Sequence, residues 1–348
     1  MRDGTGIEAL ARLRAADPAL VELRSRHGAV LLSPGLQGRI FCALDGALVH
    51  RLAVDLLDRP LSDEFNNLGG NSLWPAPEGG AYAVNYVPPA VDEWVVQDGI
   101  AAVVPEVTEA AAARVAAVKQ ITLTNRRGVQ VRLRWEREVE LNPEPLLPAT
   151  DCRGLAYRSV DGFAPVADYS TDDVLLAPWS LEQFPGGDGV TVFAAVDGSP
   201  ERAINSDFYG LPEVPPRFQK HGFTIPLGGT AKYQLGLALA QAPTVLGALD
   251  QQRELLIWRT TVPQPDGVYF NIADNDQPAG PWSAADLFSV FNGGELGFYE
   301  LETIGAMLRR DGALGRSRLV SETAIVAGPV AALKELVKSR WRLELGGR

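Results

Sequence analysis

Among residues 7–26 the apolar Leu10, Leu13, Leu20 and Leu23 recur at helical spacing, with Asp17-Pro18 as a break and a fresh N-cap. The spacing predicts two short helices that end at His27-Gly28 and form a cap, residues 1–28, against a sheet. From Ala29 the texture changes to short apolar runs divided by Gly, Pro, Asn and Asp, which is the pattern of strands and turns. Strands are expected at 29–33, 39–44, 47–57, 80–86, 93–104, 113–125 and 129–141. A second group covers 155–160, 173–182, 190–196, 223–226 and 232–240. A last group covers 246–262, 267–273, 288–291, 298–303 and 317–327. The cleanest hairpin is 121–135, whose second arm alternates Val129, Val131, Leu133 and Trp135 with Gln130, Arg132 and Arg134, as a half-buried antiparallel strand does. A closing helix is expected at 329–339, with Pro329 at its start and Val330, Leu333, Leu336 and Val337 as its apolar positions. Strands dominate and no βαβ rhythm appears, so residues 29–348 read as one large antiparallel all-β domain with short N- and C-terminal helices.

Within this pattern the strand 298–303 stands out, because it carries two carboxylates in an apolar setting. Alternation puts Phe298, Glu300 and Glu302 on one face and Tyr299, Leu301 and Thr303 on the other. Two Glu at i and i+2 lie roughly 7 Å apart at a rise of ~3.3 Å per residue. Such a pair is either solvated on a wet face or lines a polar cleft.

Four other stretches hold candidate chemistry. The stretch 66–80 reads as a loop whose Gly pairs allow close backbone approach and which presents Asn71, Trp74 and Glu78 together. Trp is a flat apolar plate suited to the face of a sugar ring, and Asn and Glu bond hydroxyls; the alternative is a structural loop whose Trp fills the core. In 175–185 Pro178 suggests a strand edge or bulge, with Trp179 as a second platform or as core filler. In 217–223 Lys220 and His221 pair an electrophile with an acid, but adjacent strand residues face opposite ways, so at most one reaches a site. His27 at a helix end and His50 inside a strand read as structural. The polar turn 271–277 offers Asp274 and Asp276 as oxygen ligands for Ca²⁺, yet lacks the Gly and distal Glu of an EF-hand loop and reads as a turn. No Ser/His/Asp order, phosphate-binding Gly loop or His-rich zinc motif occurs, so neither metal nor cofactor is expected.

Composition narrows the partners. With 46% hydrophobic residues there is material for a sizeable core, and 35 Gly and 25 Pro spread along the chain suit many strands and turns. A net charge of −11 argues against nucleic acid and suits a neutral or cationic ligand. Cys42 lies in an apolar run as a buried small hydrophobe, and a bond to Cys152 stays open, but two cysteines make no disulfide framework. Charges begin at Arg2 and no run reaches membrane length, so the expectation is a cytoplasmic protein with no membrane partner; the oligomeric state is left unassigned.

The stretch 297–303, Gly-Phe-Tyr-Glu-Leu-Glu-Thr, resembles the Leu-Glu-Thr strand of the aldose 1-epimerase (galactose mutarotase) family. The Gly-Gly-Asn-Ser-Leu-Trp-Pro-Ala-Pro-Glu run at 69–78 is similar to a motif of uncharacterised members of that superfamily, and Trp179-Ser180 is similar to a Trp-Ser or Trp-Thr pair in them. Together the resemblance spans about residues 29–327. It implies a large antiparallel β-supersandwich with a ligand cleft on one concave sheet face. It also implies a carbohydrate ligand and an isomerase-type reaction in which Glu302 takes the place of the general base. Glu300 beside it is expected to push the two carboxyl pKa values apart. The family's acid is a His in an Asn-His-Ser/Thr signature, and this chain has no match to it. The alternatives are a non-catalytic structural or interaction domain on the same fold, or a polysaccharide-processing accessory domain.

Overall fold

The computed structural model describes residues 3–57, 67–88, 95–207, 211–273 and 280–346. Among these, two large antiparallel sheets of eleven and ten strands stack face to face, the all-β domain that the alternating pattern predicts and the supersandwich that the resemblance implies. In the first sheet the spatial order runs Ala47–Ala53, Arg39–Leu44, Gly70–Ala76, Ala177–Pro185, Phe298–Ile304, Asp286–Asn292, Tyr233–Ala238. In the second it runs Gly222–Pro226, Val190–Val196, Pro243–Asp250, Leu255–Thr261, Ser317–Ala327, Arg153–Pro165, Gln130–Leu141, Arg114–Thr124. Inward-facing side chains such as Ile40, Leu133, Phe163, Leu235 and Leu301 form the main core between them. The hairpin of Arg114–Thr124 and Gln130–Leu141 buries every second residue, as its alternation requires.

Two helices close the outer faces. Helix Val330–Trp341 sets Leu333 and Val337 against Phe193, Leu249, Leu256 and Trp258 on the back of the second sheet. Helix Gly6–Ala16 sets Leu10 and Leu13 against Phe41, Leu48 and Leu52 on the back of the first. Phe41 shares its strand face with Arg39, so the helix covers one flank of that face and leaves the rest open. None of the helices among the described residues is long and apolar enough to cross a membrane.

The structure departs from the expected elements in several places. Among the described residues one helix precedes residue 28; Val21–Arg24 is a strand paired with Gly28–Ser33. Pro18 ends the helical run. Leu23 is then buried while Arg24 is exposed, as on a strand, and Leu20 lies just before it, so the three-residue spacing of Leu20 and Leu23 marks no helix. Asp17 fixes the corner, its carboxylate accepting Ser33 Oγ at 2.6 Å and the Gly35 amide at 2.9 Å. The stretch 246–262 is two strands, because Asp250 Oδ1 accepts the amides of Gln252 and Arg253 and turns the chain. Residues 80–86 and 267–273 contribute only isolated bridges, Tyr86 to Val96 and Val268 to Met307. The loop expected around Asn71 is a central strand, Gly70–Ala76. Both cysteines are free and buried. Asp274 and Asp276 lie outside the described residues.

Candidate active-site cleft

The open part of the first sheet's outer face holds a cleft of about 220 Å³. Its floor follows from strand register. Trp74 pairs with Trp179, Ser72 with Leu181, Leu181 with Glu302, Gln183 with Glu300, Glu300 with Phe291, and Glu302 with Ser289. Paired residues point to the same face, so these line one continuous strip. The walls add Arg39, Glu78, Tyr86, Lys232, Gln234 and Phe298. Gly69 and Gly70 bring the Trp74 strand into the sheet at φ +89° and +66°, and a Cβ on Gly69 would fall 2.0 Å from the Arg51 carbonyl oxygen.

Glu302 is fully buried. Its Oε2 accepts Trp179 Nε1 and Gln234 Nε2, both at 3.0 Å, while Oε1 has no donor among the described residues. Burial, and then the charge of Glu300, push its pKa well above the ordinary carboxyl range. Glu300 is shifted upward too, by burial, but against that work hydrogen bonds from Gln183 and Glu302 and the charges of Arg51 and Arg39. Gln183 is the link between charges: its Nε2 donates to Glu300 Oε1 at 2.6 Å and its Oε1 accepts Arg51 Nη1 at 3.0 Å. Glu78, after the Trp74 strand, accepts Tyr86 OH at 2.6 Å and is pushed up to about 7, by burial first and also by Glu300. Arg39 is held down to about 9 by burial, with Glu300 opposing the shift. The cleft therefore holds three carboxyls whose pKa values are raised, set among aromatic and polar side chains, an arrangement suited to moving protons on a ligand.

Of the residues singled out from the sequence, Glu300, Glu302, Trp74, Glu78 and Trp179 converge on this cleft. Trp74 is the partly open plate, its ring centroid 6.5 Å from that of Tyr86. Trp179 is 2% exposed and acts as wall and hydrogen-bond donor rather than as a stacking surface. Asn71 is not in the cleft. It points between the sheets, where Oδ1 accepts Arg137 Nη2 and Ser180 Oγ and Nδ2 donates to Tyr157 OH. Its parity on the strand, opposite to Ser72 and Trp74, is the reason. Lys220 and His221 are not there either. They form the turn between Arg217–Gln219 and Gly222–Pro226 at the edge of the second sheet, and the His221 carbonyl accepts the Val196 amide. His50 is buried behind the floor and bonds Glu182 at 2.8 Å.

Sequence reasoning missed Gln183, Gln234 and Arg39. Gln183 was available from period two, since Trp179, Leu181 and Gln183 share a face of one strand. Gln234 and Arg39 lie on strands remote in the chain, and only sheet order brings them to the glutamates.

Comparison with solved structures supports the architecture. A protein from Escherichia coli K12 described as a candidate aldose 1-epimerase superposes with a TM-score of 0.50 at 14% identity, covering 88% of this chain and 98% of that one. A Synechocystis sp. PCC 6803 protein superposes with a TM-score of 0.51 at 13% identity, covering 88% and 95%. These likenesses give the fold, galactose mutarotase-like. Comparison with functionally curated proteins gave no match. The profile of one sequence family runs along nearly the whole chain, residues 7–346, and the chain belongs to that family, DUF6786, a family of unknown function.

Proposed function

We propose that the cleft binds a carbohydrate and that its carboxyl groups transfer protons on the bound sugar, as in an aldose 1-epimerase-type isomerase with Glu302 in the position of the base. The observation that carries this reading is the convergence of a partly open Trp74 ring with Glu78, Glu300 and Glu302 in one pocket. A sugar presents an apolar ring face and a polar hydroxyl rim, and a Trp plate beside carboxyls matches both. A cleft of about 220 Å³ suits one sugar ring with its surrounding water. The likeness in fold to a candidate aldose 1-epimerase points the same way.

The test is calorimetry against a panel of mono- and disaccharides, with Trp74→Ala and Glu302→Gln beside the wild type. Binding in the millimolar range or tighter, weakened by Trp74→Ala, is expected; no binding of any sugar by the folded wild type overturns the reading. A second reading, a sugar-binding module without turnover, draws on one observation: among the described residues no histidine lines the cleft. It predicts binding with no anomeric interconversion.

A further inference from the structure

We infer that Glu300 and Glu302 work as one carboxyl–carboxylate pair that holds a single proton at neutral pH, so that the pair supplies both the acid and the base and no histidine is required. The inference that the pair holds one proton stands on the ligand-free protein alone; its use as acid and base rests on the sugar-isomerase reading above and divides the roles, Glu302 acting as acid and Glu300 as base on ring opening and the reverse on ring closure.

The geometry makes the two carboxyls unequal. The groups that bond Glu302 are neutral: Trp179 and Gln234 converge on Oε2, and the Ser289 hydroxyl faces the carboxyl from the neighbouring strand. Its Oε1 is buried with no hydrogen-bond donor among the described residues. An ionised carboxylate in that position leaves a charged oxygen desolvated and unpaired, which is costly. A proton on Oε1 removes the charge and gives that oxygen a hydrogen bond to make, and Glu300 on the same strand face is the acceptor. Glu300 is placed for the charge, since Gln183 donates to it and Arg51 and Arg39 are near it. The other ionisable groups facing the pair are Lys232 ahead of the Tyr233–Ala238 strand and Glu78 with its partner Tyr86. Asp286 begins the neighbouring strand and bonds Asn205 instead.

The chemistry balances. The Glu300 carboxylate takes the proton of the anomeric hydroxyl as the carbonyl forms and the bond from the anomeric carbon to the ring oxygen breaks. The ring oxygen, leaving with the bonding pair, takes the proton of Glu302. The pair still holds one proton and one negative charge, with the proton now on Glu300. After rotation of the open-chain aldehyde the same transfers run in reverse and close the ring on the other face. No oxidant, metal or external acid is consumed.

The experiment is a titration of the ligand-free full chain with ¹³Cδ-labelled glutamate, followed by NMR from about pH 4 to about pH 9, beyond the ordinary carboxyl range. One of the two carboxyls should remain protonated at about pH 7 while the other is ionised. Glu300→Gln should lower the Glu302 midpoint by about one unit or more, the mark of coupled sites. Two ordinary midpoints in the wild type, with both groups ionised at about pH 7, overturn the inference even if the variant fails to fold. An unmoved Glu302 midpoint in a folded Glu300→Gln overturns it as well. Exchange NMR on added sugar separates the two claims. Interconversion with both carboxyls ionised sinks the shared proton and leaves the isomerase; a shared proton without sugar binding sinks the isomerase reading and leaves the pair.

Discussion

Replacing Glu302 by Gln gives a stability signature that depends on the proton and not on the ligand. If Glu302 is protonated in the native state, Gln is close to an isostere of it. The amide oxygen accepts Trp179 and Gln234, and the amide nitrogen donates toward Glu300 as the carboxyl proton does. In the unfolded chain Glu302 titrates near its ordinary value of about 4.3. A carboxyl whose native pKa is raised contributes stability that is fully present below the unfolded value and is lost as pH rises toward the native one, because the native state must hold a proton that the unfolded state has released. The slope is about 1.4 kcal/mol per pH unit for one proton. From about pH 5 to about pH 7 the wild type should therefore lose up to about 3 kcal/mol relative to Glu302→Gln. The upward shift of Glu78 is common to both proteins and cancels to first order.

The assay is urea unfolding of both proteins at about pH 5 and about pH 7, comparing midpoints at matched m-values. At the lower pH the two should agree within about 1 kcal/mol, the usual scale of a conservative buried swap. At the higher pH Glu302→Gln should be the more stable by roughly 2–3 kcal/mol. Parallel pH curves refute the reasoning, since they mean that wild-type Glu302 is charged in both states. A variant that loses stability relative to the wild type as pH rises refutes it more strongly.

Glu182→Gln should behave in the opposite sense: Glu182 is held down to about 2, Arg259 and His50 outweighing its burial, so its contribution is present above about pH 4.5 and lost as pH falls toward 2. Breaking that buried ion pair should cost about 3–5 kcal/mol at neutral pH, read by denaturant unfolding, with the cost shrinking in acid. Gly70→Ala should destabilise by about 2 kcal/mol or more in the same assay, because φ is +66° and the added Cβ would lie 2.7 Å from the Ile40 carbonyl oxygen. Trp74→Ala should weaken sugar binding about tenfold by calorimetry, the equivalent of about 1.4 kcal/mol, while thermal unfolding barely moves because the ring is only partly buried.

What was legible in the chain and what was not divides along a physical line. Period-two alternation is local, so the hairpin of Arg114–Thr124 and Gln130–Leu141 and the common face of Glu300 and Glu302 could be read directly. Strand order is not local. Ser289 and Gln234 reach Glu302 only because their strands pair consecutively beside it, and no spacing in the chain encodes that. Asn71 shows the intermediate case. Once 70–76 is taken as a strand, its parity sends Asn71 inward and Trp74 outward; taken as a loop, both looked available. Lys220 and His221 drew notice as reactive residue types in a chain with three histidines, but residue type carries no information on which sheet a turn belongs to.

Two glutamates on adjacent strands show how the fold decides what a carboxyl does. Glu182 pairs in register with Leu301, and Leu181 pairs with Glu302, so the two acids lie one residue apart on opposite faces of one sheet. Both are fully buried. Glu182 faces the sandwich interior, where Arg259 Nε lies 2.9 Å away and His50, Tyr157 and Thr323 complete its bonds. There it is ionised, and it ties the two sheets together. Glu302 faces the cleft, with neutral donors around it, a second carboxyl two residues along and no cation bonded to it among the described residues. Burial is shared, so it cannot be the cause of their difference; the counter-charge is. A fold that places Arg259 on the inner face and leaves Glu302 without an arginine keeps one carboxyl for structure and leaves the other able to give its proton away.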